Sequence, residues 1–297
     1  MISKCKLCHQ IKELKDSHVI PSFVGKWLKK TSATGYFIAV DTDDAAERSQ
    51  DLYKIQLLCI DCEGILNKYE TYFASNVFHP FKNGTLSVIA NDERIGKFAI
   101  SISLRILWVL QNSQDTLAIK WAHKLNKLEE EWRQYLLCTN NFVKGVNSHH
   151  ILFSNEQLLA YGLRTTPNLI LNLLRTSVFY IYDKFDKPYI FSNMAGIQVI
   201  SMVDSPELPV SNCTQVYPDQ TLGGKDRPGI GWGGYFQNIM KFSRWVDDVR
   251  NGLSENHKDM IQRAEEKDPA RAINSEDAEL IHRQKTLLEK MKTKHDC

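Results

Sequence analysis

Two cysteine pairs, Cys5-Lys-Leu-Cys8 and Cys59-Ile-Asp-Cys62, constrain this chain more than any other feature in it. Two residues between cysteines let both sulfurs of one turn point at a single ion, and two such turns complete a tetrahedral site. The spacing predicts a structural zinc ion held by Cys5, Cys8, Cys59 and Cys62, with the residues between the pairs looped out as an insertion. His9, next to Cys8, is an alternative ligand, although four thiolates already suffice. Four buried thiols with coincidental spacing would require two accidents in one short region. Cys138, Cys213 and Cys297 lack partners at such spacing and read as incidental.

Composition narrows the class. A chain of 297 residues is long enough for one large core or two modest ones. Hydrophobic residues at 43% and charged residues at 24% exclude a mainly disordered or fibrous chain. The formal net charge of +2 gives no global field for nucleic acid, so any such binding must come from a local patch. The most apolar stretches, 99–110 and 169–182, carry Arg105 and Arg175 and fall short of the roughly 20 residues of a membrane span. No membrane partner is expected. The opening Met1-Ile-Ser-Lys-Cys5 has no apolar run of the secretory kind, and the expected location is the cytoplasm, where thiols stay reduced.

The pattern along the chain predicts an α+β protein in three regions, 1–85, 86–253 and 254–297. In the first, a helix is expected over 21–30, a strand at 36–40 inside a loop insertion rich in acid (Asp41, Asp43, Asp44, Glu47), a strand at 55–58 and a helix over 63–73. The second is a larger mixed helical and antiparallel-strand domain. Its expected elements are a buried helix over 94–111, one helix over 115–138, strands at 178–182, 189–193 and 196–203, and a helix over 235–250. The glycine-rich stretch 222–234 is not a phosphate-cradling loop, because Gly224-Lys225 continues with Asp226 and Arg227 rather than Ser or Thr. His149-His150 reads as a loop pair outside any site. The third region is a charged helical tail, broken at Asp268-Pro269, with a helix expected from Ser275. It reads as a solvated or partner-binding helix.

Chemistry gathers around the cysteine pairs. Leu14-Lys-Asp16-Ser17-His18-Val-Ile-Pro21 puts a histidine on a short strand just past the first pair. After the second pair, Glu63, Asn67 and Glu70 fall on one face if the segment is helical. Oxygen ligands on a helix facing a histidine on a strand suit a Mg²⁺ or Mn²⁺ site beside a general base. The alternatives are a histidine merely packed beside the zinc site and carboxylates merely facing solvent.

The order CxxC, then Ser-His-Val-Ile-Pro, then Cys-Ile-Asp-Cys-Glu with Lys68-Tyr-Glu70 nearby resembles the HNH-type endonucleases, in a divergent bacterial group with zinc knuckles. The resemblance covers about residues 5–80. It implies a treble-clef, ββα-metal module in which zinc braces the fold and a second divalent ion serves catalysis. His18 matches the general base, and Glu63 stands where the family's final histidine follows the second knuckle. Ser17 stands at a position that is often Asp or another ligand, and the family's middle Asn has no counterpart before the second pair. The implied function is metal-dependent hydrolysis of nucleic-acid phosphodiesters, DNA in the first place, with a role in bacterial anti-phage defence. His18, Glu63 and Asn67 are the expected catalytic residues. Asp16, Glu63 and Glu70 are the expected ligands of the catalytic metal. Lys26, Lys29, Lys30 and Lys68 are the expected phosphate contacts, with a solvated helix end as the alternative for Lys29 and Lys30. A protein activator or partner subunit fits such a chain. Two other readings stand beside it: a non-catalytic zinc-stabilised module that binds nucleic acid or protein, and a functional centre within 86–250 for which the knuckles are scaffolding.

Overall fold

The computed structural model describes residues 1–40, 46–86, 92–137, 149–153, 166, 168–184, 187–203, 214–217 and 232–293. The sequence-expected acidic loop residues 41–45, the stretch 222–231 of the glycine-rich segment, and Cys138, Cys213 and Cys297 lie outside them. The described residues form a mixed α+β protein with antiparallel sheets and a close cysteine cluster.

The N-terminal unit is a three-stranded antiparallel sheet in the order β1 (Ile2–Lys4), β2 (Ile11–His18), β5 (Lys54–Cys59). Between β2 and β5 the chain makes helix α1 (Ser22–Thr31) and a separate hairpin, β3 (Phe37–Val40) with β4 (Ala46–Ser49). Helix α2 (Ile60–Phe73) leaves β5 directly, contacts β2 and β5, and buries Cys62, Leu66 and Phe73. It runs through a wider turn at Ala74–Phe78 into the short α3 (His79–Lys82).

Helix α4 (Glu93–Asn112) is the centre of the molecule. Asp92 caps it by accepting from the Arg94 amide at 2.8 Å. From Ile95 to Leu110 every residue is buried, as an apolar run without a polar face requires. One side meets α2 and the other meets a five-stranded sheet. That sheet has the order β10 (Thr214–Tyr217), β6 (His149–Phe153), β9 (Ile197–Met202), β8 (Lys187–Met194), β7 (Ser177–Lys184). All its pairings are antiparallel except β10 with β6. Strand alternation gives each face its own core. Ile190, Ile197 and Val199 join the core that contains α4. Phe191, Ile200 and Met202 face α7 (Leu169–Leu174), α8 (Trp232–Asn251) and α11 (Glu276–Thr293). The cluster around α4 has members from Cys5 to Val203, on both the cysteine-bearing unit and the five-stranded sheet.

Three local expectations change. The helix expected over 115–138 divides into α5 (Thr116–Lys120) and α6 (Ala122–Leu137). Trp121 leaves helical geometry there, and its indole N–H donates to Asp183 of β7 at 3.0 Å. His149 is not in a loop: it opens β6, fully buried, with Nδ1 2.5 Å from Ser201 Oγ and its ring 5.2 Å from that of Trp132. The charged tail is α9 (Glu255–Lys267), α10 (Pro269–Ile273) and α11; α9 is largely exposed, whereas α10 and α11 are docked. Leu280 is fully buried, Arg271 donates to the Lys29 and Ser32 carbonyls at the end of α1, and Asp277 accepts from Arg175 at 2.6 Å. Among the described residues no helix is long and apolar enough to cross a membrane.

Candidate functional site

The first cysteine pair forms the turn between β1 and β2. The Cys5 amide donates to the Gln10 carbonyl and the His9 amide to the Cys5 carbonyl, both at 2.9 Å, and His9 takes φ of 60° to close the turn. The Lys6 amide donates to Leu57 O of β5 at 2.9 Å, which ties the turn to the strand that carries the second pair. Cys59 ends that strand and precedes α2; Cys62 lies in the first turn of the helix. The four sulfurs lie within 4.8 Å of one another, and Cys8 Sγ is 3.9 Å from Cys59 Sγ. A tetrahedron with metal–sulfur bonds of about 2.3 Å has edges of about 3.8 Å, so the cluster is close enough to hold an ion. Cys5, Cys59 and Cys62 are buried and Cys8 is half-buried.

The donor set asks for a cation. Burial alone would raise the Cys5 thiol, but the amides of Cys8, Cys59 and Leu7 bring it down to about 7. Burial and the adjacent Cys5 sulfur push Cys62 well up, and burial also raises Cys8. One thiolate therefore opposes ionisation of its neighbours, the repulsion that a divalent ion removes. The cluster can hold a metal ion. His9 is exposed and is no member of the cluster; desolvation, with Arg133 and Lys4 nearby, lowers its imidazole from the ordinary value.

The other end of β2 carries Asp16, Ser17 and His18. A bulge between Lys15 and Asp16 resets the strand's alternation, so that Ser17, 1% exposed, points inward and Asp16 stays exposed. Ser17 Oγ donates to Glu63 of α2. Asp16 accepts from Gln56 at 3.2 Å. His18 Nε2 lies 3.0 Å from Asp51 Oδ1. Burial would raise the Asp51 carboxyl, but Lys54 at 2.5 Å and His18 hold it at about 2. An ionised carboxylate only accepts, so Nε2 carries the proton and Nδ1 is the nitrogen that can take one.

Glu63 and Glu70 of α2 both turn toward the protein, Glu63 to Ser17 and Glu70 to Arg105 of α4, while Asn67 and Lys68 are exposed. Arg105, 1% exposed, also donates to the His18 carbonyl at 2.9 Å. On α1, Lys26 and Lys30 are exposed, and Lys29 donates to the carbonyl of Gln50, next to Asp51, at 3.0 Å. The structure thus joins Ser17 with Glu63 and leaves Asp16, Asn67 and Glu70 apart from them.

Asp51, Arg105 and Arg133 were not singled out from the sequence. For Arg105 the signal was present: it is the one charge between Phe98 and Leu110. Arg133 interrupts the apolar face of α6 between Trp132 and Leu136, whereas Asp51 follows an acidic, polar stretch with nothing to mark it. Comparison of the chain with protein-family models, with curated proteins and with solved structures gives no match.

Proposed function

We propose that residues 1–85 are a zinc-braced ββα nuclease module of HNH type, and that the protein hydrolyses phosphodiester bonds of nucleic acid in the cytoplasm. The observation that carries this reading is the end of β2. There the residue before His18 meets the helix residue after the second knuckle, Ser17 with Glu63, and Asp51 holds His18 with Nδ1 as the proton acceptor.

In the proposed step, His18 Nδ1 takes a proton from water as the water oxygen bonds to phosphorus. The bond from phosphorus to the 3′ oxygen breaks, and that oxygen takes up a proton from solvent water. Asp51 stabilises the imidazolium that forms. Lys29 borders the loop of Asp51 through the Gln50 carbonyl, and it and the exposed Lys26 and Lys30 of the same helix supply contacts to flanking phosphates. Glu63 and Ser17 fit the sparse protein ligation of Mg²⁺ or Mn²⁺, which takes one or two carboxylates and completes its shell with water and phosphate. Such an ion, when bound, supplies charge neutralisation at the phosphorus. Asp16, Asn67 and Glu70 stand outside that set.

A second reading has one observation in its favour. Asp16, Glu63 and Glu70 are each engaged by a protein partner, namely Gln56, Ser17 and Arg105, an arrangement that suits a zinc-stabilised module binding nucleic acid or protein without cutting. The test is cleavage of supercoiled plasmid, linear duplex and RNA by the full chain, with Mg²⁺, Mn²⁺ or EDTA. The expected result is cutting that needs the divalent ion and falls about 10²–10⁴-fold in zinc-replete His18→Ala. No cutting of any substrate by the wild type, with binding in a gel shift, would favour the second reading.

A further inference from the structure

The first cysteine turn is held from two sides. On the inside, the Cys59 amide donates to the Cys5 sulfur at 3.4 Å. On the outside, the carbonyl oxygens of Lys6 and Leu7 accept from Nε of Arg133, at 3.2 and 2.9 Å. The Lys6–Leu7 and Leu7–Cys8 peptide groups make up the turn between the two cysteines, so Arg133 fixes the backbone from which Cys5 and Cys8 present their sulfurs.

Arg133 is itself fixed. It is buried on α6, and its Nη1 lies 2.6 Å from Glu130, which also accepts from Gln134 at 2.8 Å. Four thiolates around a divalent ion leave a surplus of negative charge, and Arg133 places a positive charge just behind the turn that carries two of them.

We propose that Arg133 is a positioning residue of the metal centre, acting by holding the backbone of the turn between Cys5 and Cys8 through the Lys6 and Leu7 carbonyls, so that metal retention depends on a helix outside the cysteine-bearing unit. The inference rests on the reading of the four cysteines as a metal site. Partners of metal ligands beyond the direct shell typically govern affinity by about 10–100-fold.

The test is zinc competition against a chromophoric chelator in the full chain, for wild type, Arg133→Met, Arg133→Lys and Leu128→Ala. Cobalt-loaded samples add the thiolate-to-metal charge-transfer band as a spectroscopic readout. Arg133→Met should lose about 10–100-fold in zinc affinity and shift that band. Arg133→Lys, which keeps the charge but not the shared Nε contact, should recover part of the loss. Leu128→Ala, a core change on the same helix, should lower the melting temperature and leave affinity and band unchanged. Equal affinity in wild type and folded Arg133→Met, or an equal fall in Leu128→Ala, would overturn the proposal. Where Arg133→Met fails to fold, Arg133→Lys and Glu130→Gln decide: wild-type affinity and band in both overturn it, and a fall in both upholds it. A wild type that takes up neither zinc nor cobalt would remove the metal reading itself, a different failure.

Discussion

The two ends of β2 are built in opposite ways. At one end four sulfurs converge, and the turn that carries two of them is closed by its own backbone. At the other, each chemical group finds a separate partner: Ser17 takes Glu63, His18 takes Asp51, Asp16 takes Gln56, and Arg105 arrives from α4 to take Glu70. The cysteine end draws on spacing within two short turns. The histidine end draws on a bulge, a strand face and a helix from the middle of the chain, so its arrangement belongs to the whole core rather than to one motif.

The largest effect should come from breaking the converging end. Cys62→Ser removes one of the four clustered sulfurs, and a structural zinc ion held there would contribute on the order of 10 kcal/mol, as in small metal-dependent folds. Circular dichroism and zinc content should both show loss of the N-terminal unit. Arg105→Met should come next. It strands a partly buried Glu70 carboxylate and the His18 carbonyl, at a cost of about 3–5 kcal/mol read from the urea midpoint. A variant as stable as wild type would show that α4 is not what holds the histidine end.

Gly196→Ala sharpens the contrast from the far sheet. Gly196 has φ of 95° in the turn from β8 to β9, and a Cβ there would collide with Leu174. The expected cost is about 1–3 kcal/mol, with zinc content unchanged. Asp51→Asn should have the smallest effect on stability, because the Asp51 carboxylate is 51% exposed and its pairs are screened. Its sign is fixed. Asp51 drops from an ordinary 3.8 to about 2 in the folded chain, so its contribution is complete above about pH 4 and is lost as pH falls toward 2. The stability difference between wild type and Asp51→Asn should be constant above about pH 4 and shrink toward zero as pH falls to about 2.

The same contrast explains what could be read from residues alone. The cysteine cluster, α4 and the strands β7 to β9 follow from local spacing and periodicity, which a linear chain displays directly. The pairing of Ser17 rather than Asp16 with Glu63 does not, because it depends on a one-residue bulge that sets which side of β2 faces α2. His149 was misplaced for a similar reason: its buried position comes from pairing with Ser201 of β9, far along the chain. The break at Trp121 likewise comes from Asp183 on β7. Arg105 and Arg133 stand out in the sequence as charges among apolar residues, but their targets, the His18 carbonyl and the first cysteine turn, are visible only once the helices are packed.

The central claim is that Cys5, Cys8, Cys59 and Cys62 form one metal centre that braces the strand bearing His18. Native mass spectrometry of the full chain, expressed with zinc and compared with Cys62→Ser, tests it most directly. The account predicts one zinc per wild-type chain, retained in His18→Ala and absent from Cys62→Ser. A wild-type chain found only at its metal-free mass, still folded after zinc has been offered, would contradict it.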